Sequence, residues 1–256
     1  MSLTGKSPSE TYKDLTYVDN NNSGVDSTTR SVKTGNGSET SLSLSDRAVK
    51  IKSSTDNTAA LDVQNSSGTS KLLVDTTNSQ VKALGTHVNT QYERFGVGFD
   101  VSGLTANNHW ALPVNLGFVS ALTSMGTSTD PDTSITMSTA TQRIMNSYWY
   151  VMDNITIDRV VWWSSADAAT GDTTRCHLMG YDVDSDNGAT GGDLSNGVVL
   201  ADGADIVNAG YEQAYYQQMT IQSANVDAGK VILFTFRTDS INSDYSINAT
   251  VKYHLR

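Results

Sequence analysis

The sequence predicts an all-β protein: an extended N-terminal anchor and a slender β-shaft, followed by a C-terminal β-sandwich knob of jelly-roll type. Three observations predict it. Glutamate occurs only at Glu10, Glu39, Glu93 and Glu212, while Ser, Thr, Asn, Asp and Gly abound; helices favour Glu, Lys, Leu and Ala, and turns favour the residues this chain prefers. Apolar residues recur at every second position in short runs, the period of a half-buried strand. All four tryptophans, Trp110, Trp149, Trp162 and Trp163, lie beyond residue 85, so a core-forming segment follows one with little to bury.

In chain order, Ser7-Pro8-Ser9-Glu10 has the form of a helix start. Ser7 would be the N-cap, Pro8 the first helical residue and Glu10 the capping-box partner. The helix reaches only about Leu15 before Tyr17-Val18 and the polar run Asp19 to Gly24 stop it. Tyr12, Leu15 and Tyr17 are then apolar groups with no core beneath them, on a floppy tail or on a docking peptide that orders against a partner. Residues 24–40 have the composition of a linker, closing at Asn36-Gly37-Ser38.

Residues 41–85 are the stretch on which the rest depends. Leu42 and Leu44 precede a turn at Ser45-Asp46-Arg47, then come Val49 and Ile51. Leu61 and Val63 lead into Asn65-Ser66-Ser67-Gly68, then Leu72 and Val74, then Thr76-Thr77-Asn78, then Val81. So few small apolar residues per strand cannot offset an ordering entropy of about 1–2 kcal/mol per residue. Several copies sharing one axis would supply the missing burial, so this stretch reads as the intertwined shaft of a homotrimer.

Residues 86–256 have the size of one domain. Strand candidates are Phe95–Val101 and Ser134–Met137, then Tyr148–Met152 and Ile155–Trp163 as a strong pair broken by Asp153-Asn154. Arg175–Val183, Val198–Leu200 and Gln217–Gln222 follow. Val231 to Phe236 is apolar on both faces and predicts a central strand. The last run alternates Tyr245, Ile247, Ala249, Val251, Tyr253 and Leu255 with polar residues. Eight or more short strands with polar turns predict a sandwich of jelly-roll type. A final strand running to Arg256 suits a distal knob whose C-terminus is tied into its sheet.

A net charge of −10 over 256 residues argues against nucleic acid as a partner, because Lys and Arg contacts to phosphate supply most of that affinity. It argues equally against an anionic membrane surface. No apolar run reaches 18 residues, so no membrane insertion is expected, and the first residues lack the apolar core of a secretion signal. The single cysteine, Cys176, excludes an intrachain disulfide framework and reads as a buried, inert thiol.

The leader Leu3-Thr4-Gly5-Lys6-Ser7-Pro8-Ser9-Glu10-Thr11-Tyr12-Lys13-Asp14-Leu15, with Asn20-Asn21-Asn22-Ser23-Gly24-Val25-Asp26 after it, resembles the N-terminal segment shared by many virion structural proteins of tailed phages. Leu72-Leu73-Val74-Asp75-Thr76-Thr77-Asn78 resembles a hinge common in phage fibre shafts. The two cover roughly the first third of the chain. The resemblance implies attachment to capsid or tail through the N-terminus (Pro8, Tyr12, Leu15 and Tyr17 as docking residues), a variable C-terminal part, and a place on the particle exterior. It implies nothing about residues 86–256.

Candidate chemistry is sparse. His87, His109, His177 and His254 show no second His or Cys at metal-ligand spacing, so no metal cofactor is expected; His177 and His254 read as ordinary strand residues. Asp182, Asp184, Asp186 and Asp193 with Gly188 resemble a calcium loop. The glycine stands one place late, the last acid is Asp, no helices flank it, and a solvated hairpin tip at Asn187-Gly188 is the competing reading. There is no nucleophile elbow, no phosphate-cradling loop and no Glu in an apolar run where burial would raise its pKa, so no catalytic residue is assigned. Trp162-Trp163 and Tyr215-Tyr216 each place one ring on either face of a strand, for core or inter-subunit packing or for stacking on sugars. Three functions stay in view: a non-enzymatic fibre or decoration protein, a binder of host surface glycans, and a polysaccharide-cleaving spike.

Overall fold

Antiparallel ladders organise the chain, and the all-β expectation holds: strand makes up 53% and helix 3% of this computed structural model. It describes residues 15–21, 23–100, 105–115, 122–138, 141–167, 170–210, 213–240 and 244–256. The helix predicted at Ser7, with Pro8 and Tyr12, lies outside the described residues. The chain divides into two compact units between Val88 and Asn89.

The N-terminal unit is two four-stranded meanders. The first comprises β1 (Thr16–Val18), β2 (Arg30–Thr34), β3 (Glu39–Leu44) and β4 (Val49–Ile51). The second comprises β5 (Leu61–Gln64), β6 (Ser70–Asp75), β7 (Gln80–Ala83) and β8 (Thr86–His87). Polar side chains make the turns. Asn65 Oδ1 accepts from the amides of Ser67 and Thr69. Buried Asp75 accepts from the amide of Asn78 at 2.9 Å and from its Nδ2 at 2.8 Å. The Asp75–Asn78 pair gives the hinge-like sequence a physical role: a carboxylate closes the β6–β7 reversal.

Two expectations change here. Tyr17 is not on a bare peptide; it lies in β1 opposite Lys33. Residues 24–40 are not a plain linker either, because β2 and the start of β3 occupy them. Val32 alone is apolar in β2, which makes its alternation illegible. Asn36-Gly37 is the β2–β3 hairpin turn, with Gly37 at φ 87°, where a glycine carries no steric cost.

The C-terminal unit has eight principal strands: β9 (Thr90–Asp100), β10 (His109–Leu112), β11 (Ile155–Ala166), β12 (Thr173–Val183), β13 (Leu194–Asp202), β14 (Gln213–Gln218), β15 (Lys230–Thr238) and β16 (Asp244–Leu255). One sheet runs β14-β11-β16-β9 and the other β10-β15-β12-β13, with short strands added at their margins. The pairing is nested: first with last, second with seventh, third with sixth, fourth with fifth. Phe95, Val160, Trp162, Ala249 and Val251 from the first sheet pack with Leu178, Phe234 and Phe236 from the second in one core. A smaller core on the other face of the second sheet joins Met179, Tyr181, Val231 and Leu233 to Met125 and Ile144. Gly197 is required there, because a Cβ would stand 2.5 Å from the Tyr181 ring.

β15 is the central strand expected, buried along Val231–Phe236 between β10 and β12. β16 buries Tyr245, Ile247, Ala249, Val251 and Tyr253. The predicted pair around Asp153-Asn154 does not form. Trp149–Tyr150 pairs with β15, whereas Ile155 begins β11 in the other sheet. Ser134–Met137 is no strand, and only Ile135 makes a bridge, to Leu194. Val101 lies outside the described residues, and β9 begins five residues before Phe95. Gln217–Gln222 splits at buried Met219 into β14 and the short strand Thr220–Ile221.

Candidate functional site

Two surfaces carry the sequence-predicted residues, one on each unit. In the N-terminal unit the register gathers the shaft residues onto shared faces. Leu61, Val74 and Val81 form one row across β5, β6 and β7, and Val63, Leu72 and Ala83 form the next. Leu42 and Leu44 lie opposite Ile51 and Val49. None of these nine predicted packing residues is buried: Val49 is 69% exposed, Val63 47% and Ile51 45%, and Leu72 and Val81 are also exposed. Of the described hydrophobic residues in this unit only Val32 is buried. A groove of about 390 Å³ beside Ile51, Ala60, Leu61 and Val74 adds to the open apolar surface. Leu15 and Tyr17, the described members of the docking set, are exposed as well.

In the C-terminal unit the neighbouring tryptophans part as period two requires. Trp162 is fully buried in the sandwich, its Nε1 donating to Gln217 Oε1 at 3.2 Å. Trp163 points away from the core and is 50% exposed. Tyr216 pairs with Trp163 across β14 and β11, their ring centroids 5.0 Å apart and tilted by 53°. Arg159 Nη2 donates to the Tyr216 hydroxyl at 2.8 Å and holds that ring upright. Tyr215 is half-buried and braces the chain instead, its hydroxyl donating to Gln213 Oε1 and accepting from the Ala209 amide. One ring of each predicted pair therefore joins a solvent-facing aromatic shelf.

No protein-family model matches this chain, and no curated protein matches it. Its chemistry rests on the geometry.

Three of the four aspartates of the calcium-loop reading, Asp182, Asp184 and Asp193, turn to separate partners, and Asp186 contributes its amide. Asp182 pairs with Lys230 and accepts from Asn196 Nδ2 at 2.7 Å. Asp184 accepts from the Asp186 amide within its own turn. Asp193 reaches across to the Met137 amide at 2.5 Å. Among the described residues no three His, Cys, Asp or Glu side chains are grouped to hold a metal ion. Cys176 is fully buried, and burial raises its thiol well above the ordinary range.

Sequence reasoning missed a buried imidazole pair. His109 and His177 are fully buried with ring centroids 5.0 Å apart. His177 Nε2 stands 3.2 Å from Asp202 Oδ1, and Arg175 grips that same carboxylate with two hydrogen bonds. Burial pushes His177 down to about 4, with the neighbouring His109 adding to the effect. Burial also lowers His109, whose Nε2 meets the Ser128 carbonyl at 3.0 Å. The lateral order of β10, β15 and β12 brings the two rings together, and no local spacing announces it. His254 is also buried, its Nδ1 2.9 Å from Asp158 Oδ1.

Proposed function

We propose that this chain is a non-enzymatic virion structural protein of a tailed phage. It is a homotrimeric fibre or capsid-decoration protein on the particle exterior, anchored to capsid or tail by its N-terminal leader. It displays the C-terminal unit for contact with the host surface. One observation carries the reading: nine apolar side chains align on shared faces and none is buried in a single copy, five of them being exposed. Strands of two to six residues with one open apolar face have little independent stability. Three copies around one axis bury those faces against each other, and the resemblance of the leader and of Leu72–Asn78 to phage segments supplies the virion setting. The nested strand pairing of the C-terminal unit supports a jelly-roll knob. Displaying it three times lets weak contacts gain from effective concentration.

The non-enzymatic part rests on the carboxylates. Among the described residues Asp75 is the one buried carboxylate. Its hydrogen bonds from Asn78 hold its pKa below the usual range, the opposite of what a glycoside-cleaving acid needs. Release of reducing ends from host polysaccharide by the purified protein would overturn it. The assembly reading is tested by light scattering at micromolar concentration. Three chains of 27.5 kDa per particle support it, and a well-folded monomer overturns it.

A further inference from the structure

The outward face of the β14-β11-β16-β9 sheet holds more than its two rings. Ladder register fixes what stands beside them. Arg159 lies opposite Lys252, and Lys252 opposite Tyr92, in one row across β11, β16 and β9. In the row of the rings, Tyr216 and Trp163 continue into Asn248 and Gly96. Between these rows Thr250 faces Arg94. Tyr92 is 61% exposed, and Arg94 and Arg159 are exposed too. One sheet face thus displays three aromatic rings and three cations on a protein whose net charge is −10.

Those cations are free to act outward. None of Arg94, Arg159 and Lys252 is in an ion pair among the described residues. Among the described outward side chains of these four strands, carboxylates stand at Asp158, which bonds His254, and at Asp244, which lies with its register partner Asp100 at the far end of the β16–β9 ladder. Asn248, Thr250 and Gln218 supply hydrogen-bonding groups between rings and charges. Beside Trp163 the row ends in Gly96, and the next row ends in Gly98, so no side chain rises there to block a ligand lying flat.

We propose that this face binds an acidic polysaccharide whose sugars bear carboxylates. Sugar rings stack on Trp163 and Tyr216, and their carboxylates meet Arg94, Arg159 and Lys252. Each half of the surface selects one feature of the ligand. The rings need a partner with an apolar face of its own, which a sugar has and a bare anionic chain lacks. The cations need repeated negative charge, and a guanidinium fork matches a carboxylate. A second copy of this chain presenting the same face fits it poorly, because Arg94, Arg159 and Lys252 would meet like charges across the contact. The proposal rests on reading the C-terminal unit as a displayed knob, yet the two fail separately: particle mass reports on assembly, and ligand titration on this face.

The test is calorimetric titration of the full-length protein with polygalacturonate, dextran, polyphosphate and oligo(dT), each at two salt concentrations. Polygalacturonate should bind, with added salt weakening it, and dextran (rings without charge) and polyphosphate (charge without rings) should bind at least about tenfold more weakly, the loss of one good contact set. Trp163→Ala should weaken polygalacturonate about tenfold, through loss of the ring on which a sugar stacks. Arg94→Gln with Lys252→Gln should weaken it and flatten its salt dependence, all variants keeping the wild-type mass. No binding of polygalacturonate, or dextran, polyphosphate or oligo(dT) binding as tightly, overturns the proposal. So does a fall in particle mass on Trp163→Ala, which would make the rings a subunit contact.

Discussion

In the C-terminal unit, β16 alternates Tyr245, Ile247, Ala249, Val251 and Tyr253 with polar residues and buries all five. In the N-terminal unit, β5 and β7 alternate in the same way, yet Val63 and Val81 stay exposed. The pattern is the same and the outcome opposite. The difference lies in length and size. β11 and β16 each run 12 residues and set Trp, Tyr, Ile and Val against a second sheet, so one copy closes its own core. The N-terminal strands run two to six residues in two small sheets, and among the described residues their Leu and Val side chains, Val32 apart, are not buried. Alternation therefore specifies a strand, while chain length and side-chain volume decide whether a strand's apolar face finds its cover within one molecule.

The comparison can be broken at either unit. The largest effect belongs to Val63→Asp combined with Leu72→Asp, neighbours across β5 and β6. In the proposed trimer these put two carboxylates per chain into the shared interior, at several kcal/mol for each unpaired buried charge. Light scattering should then report monomers, while the near-ultraviolet circular dichroism of the C-terminal unit stays unchanged. Phe234→Ala strikes the other unit. This fully buried ring lies against Phe95 at 5.9 Å between centroids. Its loss should cost about 3–5 kcal/mol in a urea transition whose midpoint does not depend on protein concentration.

Acid should loosen the C-terminal unit next. His109 and His177 are held below the unfolded value of 6.5, His177 at about 4. Between those values the unfolded chain binds more protons, so their contribution is complete above pH 6.5 and falls as pH drops toward 4. A loss on the order of 2 kcal/mol between pH 7 and pH 4.5 is expected in the same urea transition. Asp75, Asp182 and Asp184, held below the ordinary carboxylate value, lose their contribution only at lower pH. An unchanged midpoint across that interval would contradict the buried imidazole pair. Asp75→Ala is the mildest change. It removes the two hydrogen bonds that close the β6–β7 turn and should cost roughly 1–3 kcal/mol, read as faster amide exchange in β6 and β7.

The strands best read from sequence are those whose fate is local. β15 is apolar on both faces, and β16 alternates without a break. β2 escapes such a reading because Val32 is its one apolar residue, and its strand character comes from the neighbours that flank it. Trp149–Tyr150 and Ile155 read as partners because they are close in sequence; the structure sends them to different sheets, a choice made by long-range packing. The ring shelf is half legible. Period two says that one of Trp162-Trp163 faces outward, but that Trp163 meets Tyr216 depends on the register of two strands about 50 residues apart. Asp158 and His254 meet where the β11–β16 ladder shifts register between Ile157 and Arg159. A bulge of that kind re-aims a side chain and leaves no mark in the hydrophobic pattern.

In the proposed trimer the N-terminal strands are stable only when chains associate. Amide hydrogen exchange on the intact protein, followed through a dilution series, tests it most directly. Amides of residues 30–83 should be protected where the trimer is populated and lose protection together on dissociation, while those of β11, β15 and β16 keep theirs. Protection of residues 30–83 in a monomer, unchanged by dilution, would contradict it.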